Sequence, residues 1–483
     1  MADIQQSPNP VGAVPESIAD VGLATGHLSR LQISSLALTS YIPAVGMATS
    51  PFLYFAAGGF NAWPAALLSM VATICVGLAI VTFARRYVAS GSLYSYIGEV
   101  FGPWARYVVG GSLLIGFVTQ IAGTGGIVGV YFGSFLTTLG VGNGYDLTLQ
   151  LVILAVTLFG AGLIAFRGLD TSVRVAVTLA FVSLPLMVLI TVGSASHTGL
   201  DLAQQLDFEA FSVSGTFQGM ASGIAFLVAF ESCTALASET KDPKRNIPVA
   251  VMGVPVVLGI VYLVTTFLQV PGLAASADEL AEGRSPASAL NEVAGLPSWT
   301  GAATDLILAI ATFSAVVGFT NYGSRFLVTL GVDQLLPTKV TTVHPRRQTP
   351  IVAIAGLLIA GFAVMAIAAS LGGDYLSAYN IVVIAIVYSW VLPYILISAG
   401  AMVILVRARS NYPTVVASAI ALCAMTWLFV NGLVYPPASP LDSLSWEVPL
   451  AIAVVAAGFA VADRRRMRKD IPSGAESKTP EQL

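Results

Sequence analysis

Charge is scarce in this chain. Asp, Glu, Lys and Arg together make up 10% of its 483 residues, against roughly 25% in soluble domains. Length alone suggests about three soluble domains, but so few charges cannot clothe three soluble surfaces. The net charge of −3 and the lack of a basic tract interleaved with aromatics give no footprint for nucleic acid. The three histidines, His27, His197 and His344, are scattered and offer no metal-ligand spacing. Cys75, Cys233 and Cys423 each lie inside an apolar run, and they read as small buried hydrophobes rather than disulfide partners. No Gly-x-x-x-x-Gly-Lys-Ser/Thr motif occurs, so the chain is not expected to hydrolyse ATP by itself. The first 25 residues hold no Lys or Arg before an apolar core, unlike a secretory signal. No coherent grouping of His, Asp, Glu, Ser or Cys suggests an enzyme.

What is abundant is apolar sequence. Hydrophobic residues make up 56% of the chain and mean hydropathy is +0.83. A bilayer core takes about 20 mostly apolar residues per helix. Runs of that length predict twelve spans, at 31–57, 62–84, 104–137, 148–167, 171–195, 215–239, 247–270, 301–329, 350–371, 376–407, 413–435 and 444–463. The fold class is therefore all-α and polytopic. With both termini on the cytoplasmic side, every Lys and Arg except Arg284 falls in an inside loop or at an inside helix end, as the positive-inside rule requires. That split supports the span count and the cytoplasmic termini, and the chain is expected to be a multi-pass protein of the plasma (inner) membrane. The stretch 85–103 is too polar to span and is expected at the inner interface as a short surface helix, with Tyr87, Tyr94 and Tyr96 at headgroup level. The largest external loop, 272–298, has room for one or two short helices.

Two spans carry breaks. In span 1, Pro43 removes a backbone donor in mid-membrane, Gly46 follows, and Pro51 adds a second interruption. Backbone groups freed in lipid must find partners. Either neighbouring helices repair a proline kink, or an unwound segment offers its amides and carbonyls to a solute or ion. In span 6, Gly219 and Gly223 loosen the outer half, and Glu231 sits deep in an apolar helix. An intramembrane carboxylate marks a functional site or a structural acid that holds the break together. Spans 1 and 6 are an odd number of spans apart, so spans 1–5 and 6–10 would form inverted halves with a site near the midplane. On this scheme residues 1–28 are a mobile cytoplasmic tail and 29–410 the transport core, with halves at about 29–200 and 210–410. Residues 411–463 supply two peripheral helices, and 464–483 a cytoplasmic C-terminal tail.

Residues 225–251, AFLVAFESCTALASETKDPKRNIPVAV, resemble the sixth-span signature of amino acid–polyamine–organocation superfamily permeases, through Phe230, Glu231, Glu239, Lys241, Pro243, Arg245, Ile247 and Pro248. Ala229 stands where that family usually has Gly. Residues 91–110 are similar to the family's entry into span 3. Residues 321–350 are similar to its loop after span 8, through Arg325, Asp333, Leu335, Leu336, Pro337, His344, Pro345, Thr349 and Pro350. The resemblance covers spans 1–10. It implies a leucine-transporter-like fold of ten helices in two inverted halves, a 5+5 repeat with discontinuous helices 1 and 6, plus two more.

The resemblance also implies secondary active transport of an amino acid by alternating access, coupled to a proton or sodium gradient or to exchange. A polyamine or other organic-amine permease is the alternative, and a channel or a permease-derived solute sensor is more distant. The partners would be a small amine-bearing solute and the lipid bilayer. No cofactor is expected beyond a coupling proton or Na+, and the oligomeric state is left open. The matching substrate positions are Pro43, Ala44, Val45, Gly46 and Met47 in span 1, with Phe226, Val228, Ala229 and Phe230 in span 6. Phe226 or Phe230 is expected to act as a gate. Glu231, Glu239 and Arg325 take structural or coupling roles, and Thr312 and Ser314 in span 8 offer hydroxyls to a sodium ion near the span-1 carbonyls. Pro43-Ala-Val-Gly46 departs from the Gly-Ser-Gly-like break of many amino acid members. Ser183 or Val182 replaces the span-5 Lys or Glu of some proton-coupled ones.

Overall fold

Twelve helices among the described residues are long and apolar enough to cross a membrane. The structure is a computed structural model that describes residues 21–209, 211–434 and 444–469. Spans 1 to 6 run Arg30–Asn61, Trp63–Ala84, Pro103–Thr138, Leu147–Phe166, Leu169–Thr198 and Val213–Glu239. Spans 7 to 12 run Pro243–Ala275, Ser298–Val332, Ile351–Gly372, Tyr375–Arg407, Tyr412–Val434 and Ser445–Met467. The chain is an all-α polytopic membrane protein.

The spans divide into inner and outer sets by how much of each faces protein. In the most apolar stretch, 78% of span 6 and 72% of spans 3 and 8 are buried, against 33% of spans 4, 5 and 9. Inner spans must pack on protein all round. Span 3 does so with small residues: a Cβ at Gly116 would press on the fully buried Trp390 of span 10, and one at Gly126 on Met365 of span 9. Small residues let membrane helices approach closely.

Span 1 breaks as expected, but slightly earlier. Its first helix, Arg30–Thr39, starts on a capping box made by Ser29 and Gln32. Its second, Pro43–Gly58, starts with Pro43 at the first turn, where the missing N–H costs nothing. Between them Ile42 has φ of 43°, a rare conformation for a β-branched residue. The interruption expected at Pro51 does not occur. Pro51 deprives the Met47 carbonyl of its helical partner, and Gln269 Nε2 of span 7 donates to that carbonyl instead, at 3.0 Å. A neighbouring helix thus repairs the second proline.

Span 6 is the more disrupted. An α-helix over Val213–Gly223 gives way to a single 3₁₀ turn at Ile224–Phe226. Leu227 and Val228 are non-helical, Ala229 has φ of 67°, and a 3₁₀ segment runs over Phe230–Glu239. Gly219 lies inside the intact part and packs on span 2, so the loosening starts only after Gly223.

Several expectations need correction. A helix does form at Leu93–Phe101, but Tyr94 and Tyr96 are buried in protein rather than placed at the headgroups. Tyr96 stacks on Phe83, and the Tyr94 hydroxyl donates to Asp333 at 2.6 Å, beside the Arg106–Asp333 ion pair. Cys75 and Cys233 are buried, whereas Cys423 is exposed on span 11. The N-terminal tail is not wholly free. The amides of His27 and Leu28 both donate to the Glu239 carbonyl at 2.9 Å, and the Lys241 amide donates to the Leu28 carbonyl. Residues 1–20 of that tail, and 470–483 of the C-terminal one, lie outside the described residues. The last helix runs on to Lys469, past the expected end at 463. The loop between spans 7 and 8 holds two short helices, Ala277–Ala281 and Pro286–Val293.

Candidate functional site

The two breaks face each other and are tied together. Tyr41, in the span-1 break, donates its hydroxyl to the Val228 carbonyl in the span-6 break at 2.8 Å. Beside this contact lies a small hollow of about 70 Å³. Span 1 contributes Ser40, Tyr41, Ile42 and Val45 to its wall, and span 6 contributes Ala225 and Phe226. Gln120 and Thr124 of span 3, Thr312 and Phe319 of span 8, and Tyr379 of span 10 complete most of the rest. Among the described residues, no Asp, Glu, Lys, Arg or His lines it.

Only some of the expected residues meet here. Val45, Phe226 and Thr312 line the hollow. Pro43, Ala44, Gly46 and Met47 do not, because the break precedes Pro43 and these residues begin a helix. Gly46 serves packing: a Cβ there would overlap the ring of Tyr262 in span 7. Val228 and Ala229 are fully buried and act through the backbone. The Val228 carbonyl takes the Tyr41 bond, and the Ala229 amide donates to the Tyr394 hydroxyl oxygen at 2.7 Å. Phe230 is packed away from the hollow, with its ring 5.7 Å from that of Tyr394. Of the two phenylalanines, Phe226 is the one that lines the hollow. It and Tyr379 also line a second cavity of about 400 Å³ that extends to Gln218 of span 6 and Asn431 of span 11.

Glu231 is fully buried but does not line the hollow. Its carboxylate accepts a 2.5 Å hydrogen bond from Tyr394, the tyrosine that also receives the Ala229 amide. Span 10 thus fastens the span-6 break at two points two residues apart. The other buried acid of span 6, Glu239, pairs with Arg325 at 2.9 Å, both 1% exposed, and Arg325 also donates to Asn321. Thr312 and Ser314 point in different directions, and of the two only Ser314 reaches a span-1 carbonyl. Residues two apart on a helix face different ways; Thr312 turns to the hollow, while the Ser314 hydroxyl points to the Thr39 carbonyl at 3.4 Å. Ser183, in span 5, donates to its own helix at Ala180.

The profile of the family described as amino acid permease matches residues 28–458. The chain belongs to that family. This permease is 24% identical over 361 residues to the branched-chain amino acid permease BcaP of Bacillus subtilis (strain 168), covering 70% of this chain and 75% of the relative. It is 24% identical over 414 residues to the serine/threonine exchanger SteT of the same organism, covering 83% and 88%. It is also 22% identical over 361 residues to that organism's methylthioribose transporter, covering 68% and 74%. These are members of a transporter family with differing solutes, so family membership supports amino acid transport without naming the solute.

Sequence reasoning missed Tyr41, Gln120 and Tyr379. Tyr41 stands just before the helix-starting Pro43, and Gln120 is a lone amide in the apolar middle of span 3, which is the kind of signal that marks a pathway. Tyr379, near the start of span 10, carries no local signal. Its place in the hollow depends on how that span packs.

Proposed function

We propose that this permease carries a small neutral amino acid across the plasma membrane by alternating access, with the hollow between the two breaks as the solute's seat. The observation that carries the reading is a hollow walled by both interrupted spans and free of ionised side chains. Irregular backbone in a membrane is tolerated where it lines a protein cavity, and in transporters such backbone holds the solute. A cationic side chain or a polyamine would need an acid in the wall. Glu231, the buried acid two residues after Ala229, is not in that wall; one of its oxygens accepts from Tyr394 and the other has no partner among the described residues. The relatives named for branched-chain amino acids and for serine and threonine fit a neutral solute. On this reading spans 1–5 and 6–10 are inverted halves, both termini are cytoplasmic, and a proton gradient, a sodium gradient or counter-solute exchange drives transport.

One observation supports a second reading. Pro43 has no amide, and the Val45 and Gly46 amides already donate to the Ile42 carbonyl at 2.9 and 3.2 Å. Ala44 is thus the first-turn residue whose amide has no backbone acceptor among the described residues. A seat with so few free amides also suits an uncharged organic solute without a carboxylate. Uptake into proteoliposomes, with neutral, cationic and acidic amino acids, polyamines and methylthioribose as competitors, separates the two. Competition by small neutral amino acids alone supports the first reading. Competition by cationic amino acids or polyamines overturns it, and competition by methylthioribose alone replaces it with the second.

A further inference from the structure

Outside the transport pathway, spans 4 and 9 enclose an apolar groove of about 580 Å³ that opens sideways. Phe159, Gly162, Phe166, Ile351, Ala355 and Phe362 are among its lining residues, every one of which is apolar. Phe159 and Ile359 are each 70% exposed, so the groove faces the surrounding medium rather than the protein core. Along most of its length this is what acyl chains require. What sets it apart is its end at Phe166 and Ile351, the last residue of span 4 and the first of span 9.

That end carries a fixed basic rim. Arg167 follows Phe166 directly, and the Arg347 guanidinium sits 4.3 Å from the centroid of the Phe166 ring. The loop that presents Arg346 and Arg347 is held tightly. His344 and Thr349 bond through their backbones at 2.9 Å, and Val343 pairs with Pro350. The amides of Arg346 and Arg347 both donate to His344 Nδ1 at 3.3 Å, and the His344 ring meets Phe166 edge-on. The Thr349 hydroxyl reaches the Phe166 carbonyl at 3.4 Å, which ties the loop to the end of span 4. Arg167, Arg346 and Arg347 are exposed, and none forms an ion pair among the described residues. Asp170, the acid nearest in sequence to Arg167, accepts from Gln32 at 3.3 Å.

We propose that this groove is a binding site for an anionic phospholipid, with one acyl chain against spans 4 and 9 and the phosphate headgroup on Arg167, Arg346 and Arg347. The argument is charge complementarity at a fixed depth. The helix ends place the rim at the bilayer surface, where basic residues attract anionic headgroups. Guanidinium groups match phosphate oxygens in geometry as well as charge.

The test uses the purified full-length permease and native mass spectrometry, comparing retention of phosphatidylglycerol with phosphatidylcholine of the same acyl chains. The wild type is expected to retain phosphatidylglycerol in preference. With each arginine worth about fivefold for an anionic headgroup, Arg346→Gln with Arg347→Gln should lower that preference roughly 25-fold. Replacing both with Lys should keep most of it, and Ala355→Trp, which fills the groove, should release both lipids. Equal retention of the two lipids by the wild type, or an unchanged preference in the double Gln variant, would overturn the proposal. So would displacement of the lipid by water-soluble glycerol phosphate, which would make this a phosphate site. Disulfide crosslinking of Ile359→Cys between two copies in bilayers would show a second copy covering the face and would equally overturn it. None of these readouts depends on transport.

Discussion

Tyr41 joins the two breaks by one side-chain bond, and it illustrates how backbone polarity is managed in mid-membrane. The Val228 carbonyl has left its helix, and lipid offers it no donor. Tyr41→Phe removes the donor and leaves the carbonyl buried, at a cost of about 1–3 kcal/mol. Uptake is expected to fall roughly tenfold in protein that still elutes as a folded species on size exclusion, with the cost in transport rather than assembly. Gly46 shows the opposite case. Its position near a break made it read as a point of close solute approach, yet its open side meets Tyr262. Gly46→Ala should destabilise the fold by about 1–3 kcal/mol through overpacking. The pair Gly46→Ala with Tyr262→Val should recover much of that loss in a thermal unfolding assay. A glycine that served the solute would show no such rescue.

At the scale of the element, span 6 works because span 10 and span 8 hold it. Ala229 occupies a left-handed conformation where the family usually has Gly. An L-residue there costs about 1–2 kcal/mol. Ala229→Gly is expected to raise stability by roughly 0.5–1 kcal/mol once the added freedom of the unfolded chain is counted, measured as a shift in the unfolding midpoint. The lower end of the span is fastened by the Glu239–Arg325 pair. Removing one member leaves a buried charge, so Arg325→Gln should cost about 3–5 kcal/mol. The double change with Glu239→Gln should cost less than Arg325→Gln alone, read by the same assay.

Much of this was legible before the structure. Long apolar runs gave the number of spans, and Pro43 in span 1 and Gly219, Gly223 and Glu231 in span 6 marked which two were broken, although Gly219 itself lies in intact helix. The register of the breaks was not legible. A proline in mid-helix marks a break when it starts a new helix, as Pro43 does, and marks nothing when a neighbour repairs it, as Gln269 does for Pro51. That choice is made by a residue more than two hundred positions away. The wall of the hollow was hidden for the same reason, since Gln120, Thr312 and Tyr379 meet only through packing of spans 3, 8 and 10.

For the whole molecule, the architecture sets a compact inner group of spans around a small, mostly apolar hollow with a few uncharged polar groups in its wall, and more exposed spans outside facing lipid. The chain clamps the C-terminal end of span 6 twice. The Glu239 side chain is held by Arg325, and its carbonyl by the amides of His27 and Leu28. The larger cavity beyond Phe226 and Tyr379 continues along spans 6, 10 and 11. On the proposed reading, an alternating-access cycle exchanges these contacts, and the hollow opens to one side and then the other around the solute's seat. Cysteine labelling tests this most directly. In a background with Cys75, Cys233 and Cys423 replaced by Ser, Thr312→Cys is introduced into the wall and alkylated in proteoliposomes with a membrane-impermeant thiol reagent. The account predicts slow labelling from the aqueous phase that a transported neutral amino acid suppresses. Labelling that the transported solute leaves unchanged, in a variant that still carries it, would place the seat elsewhere.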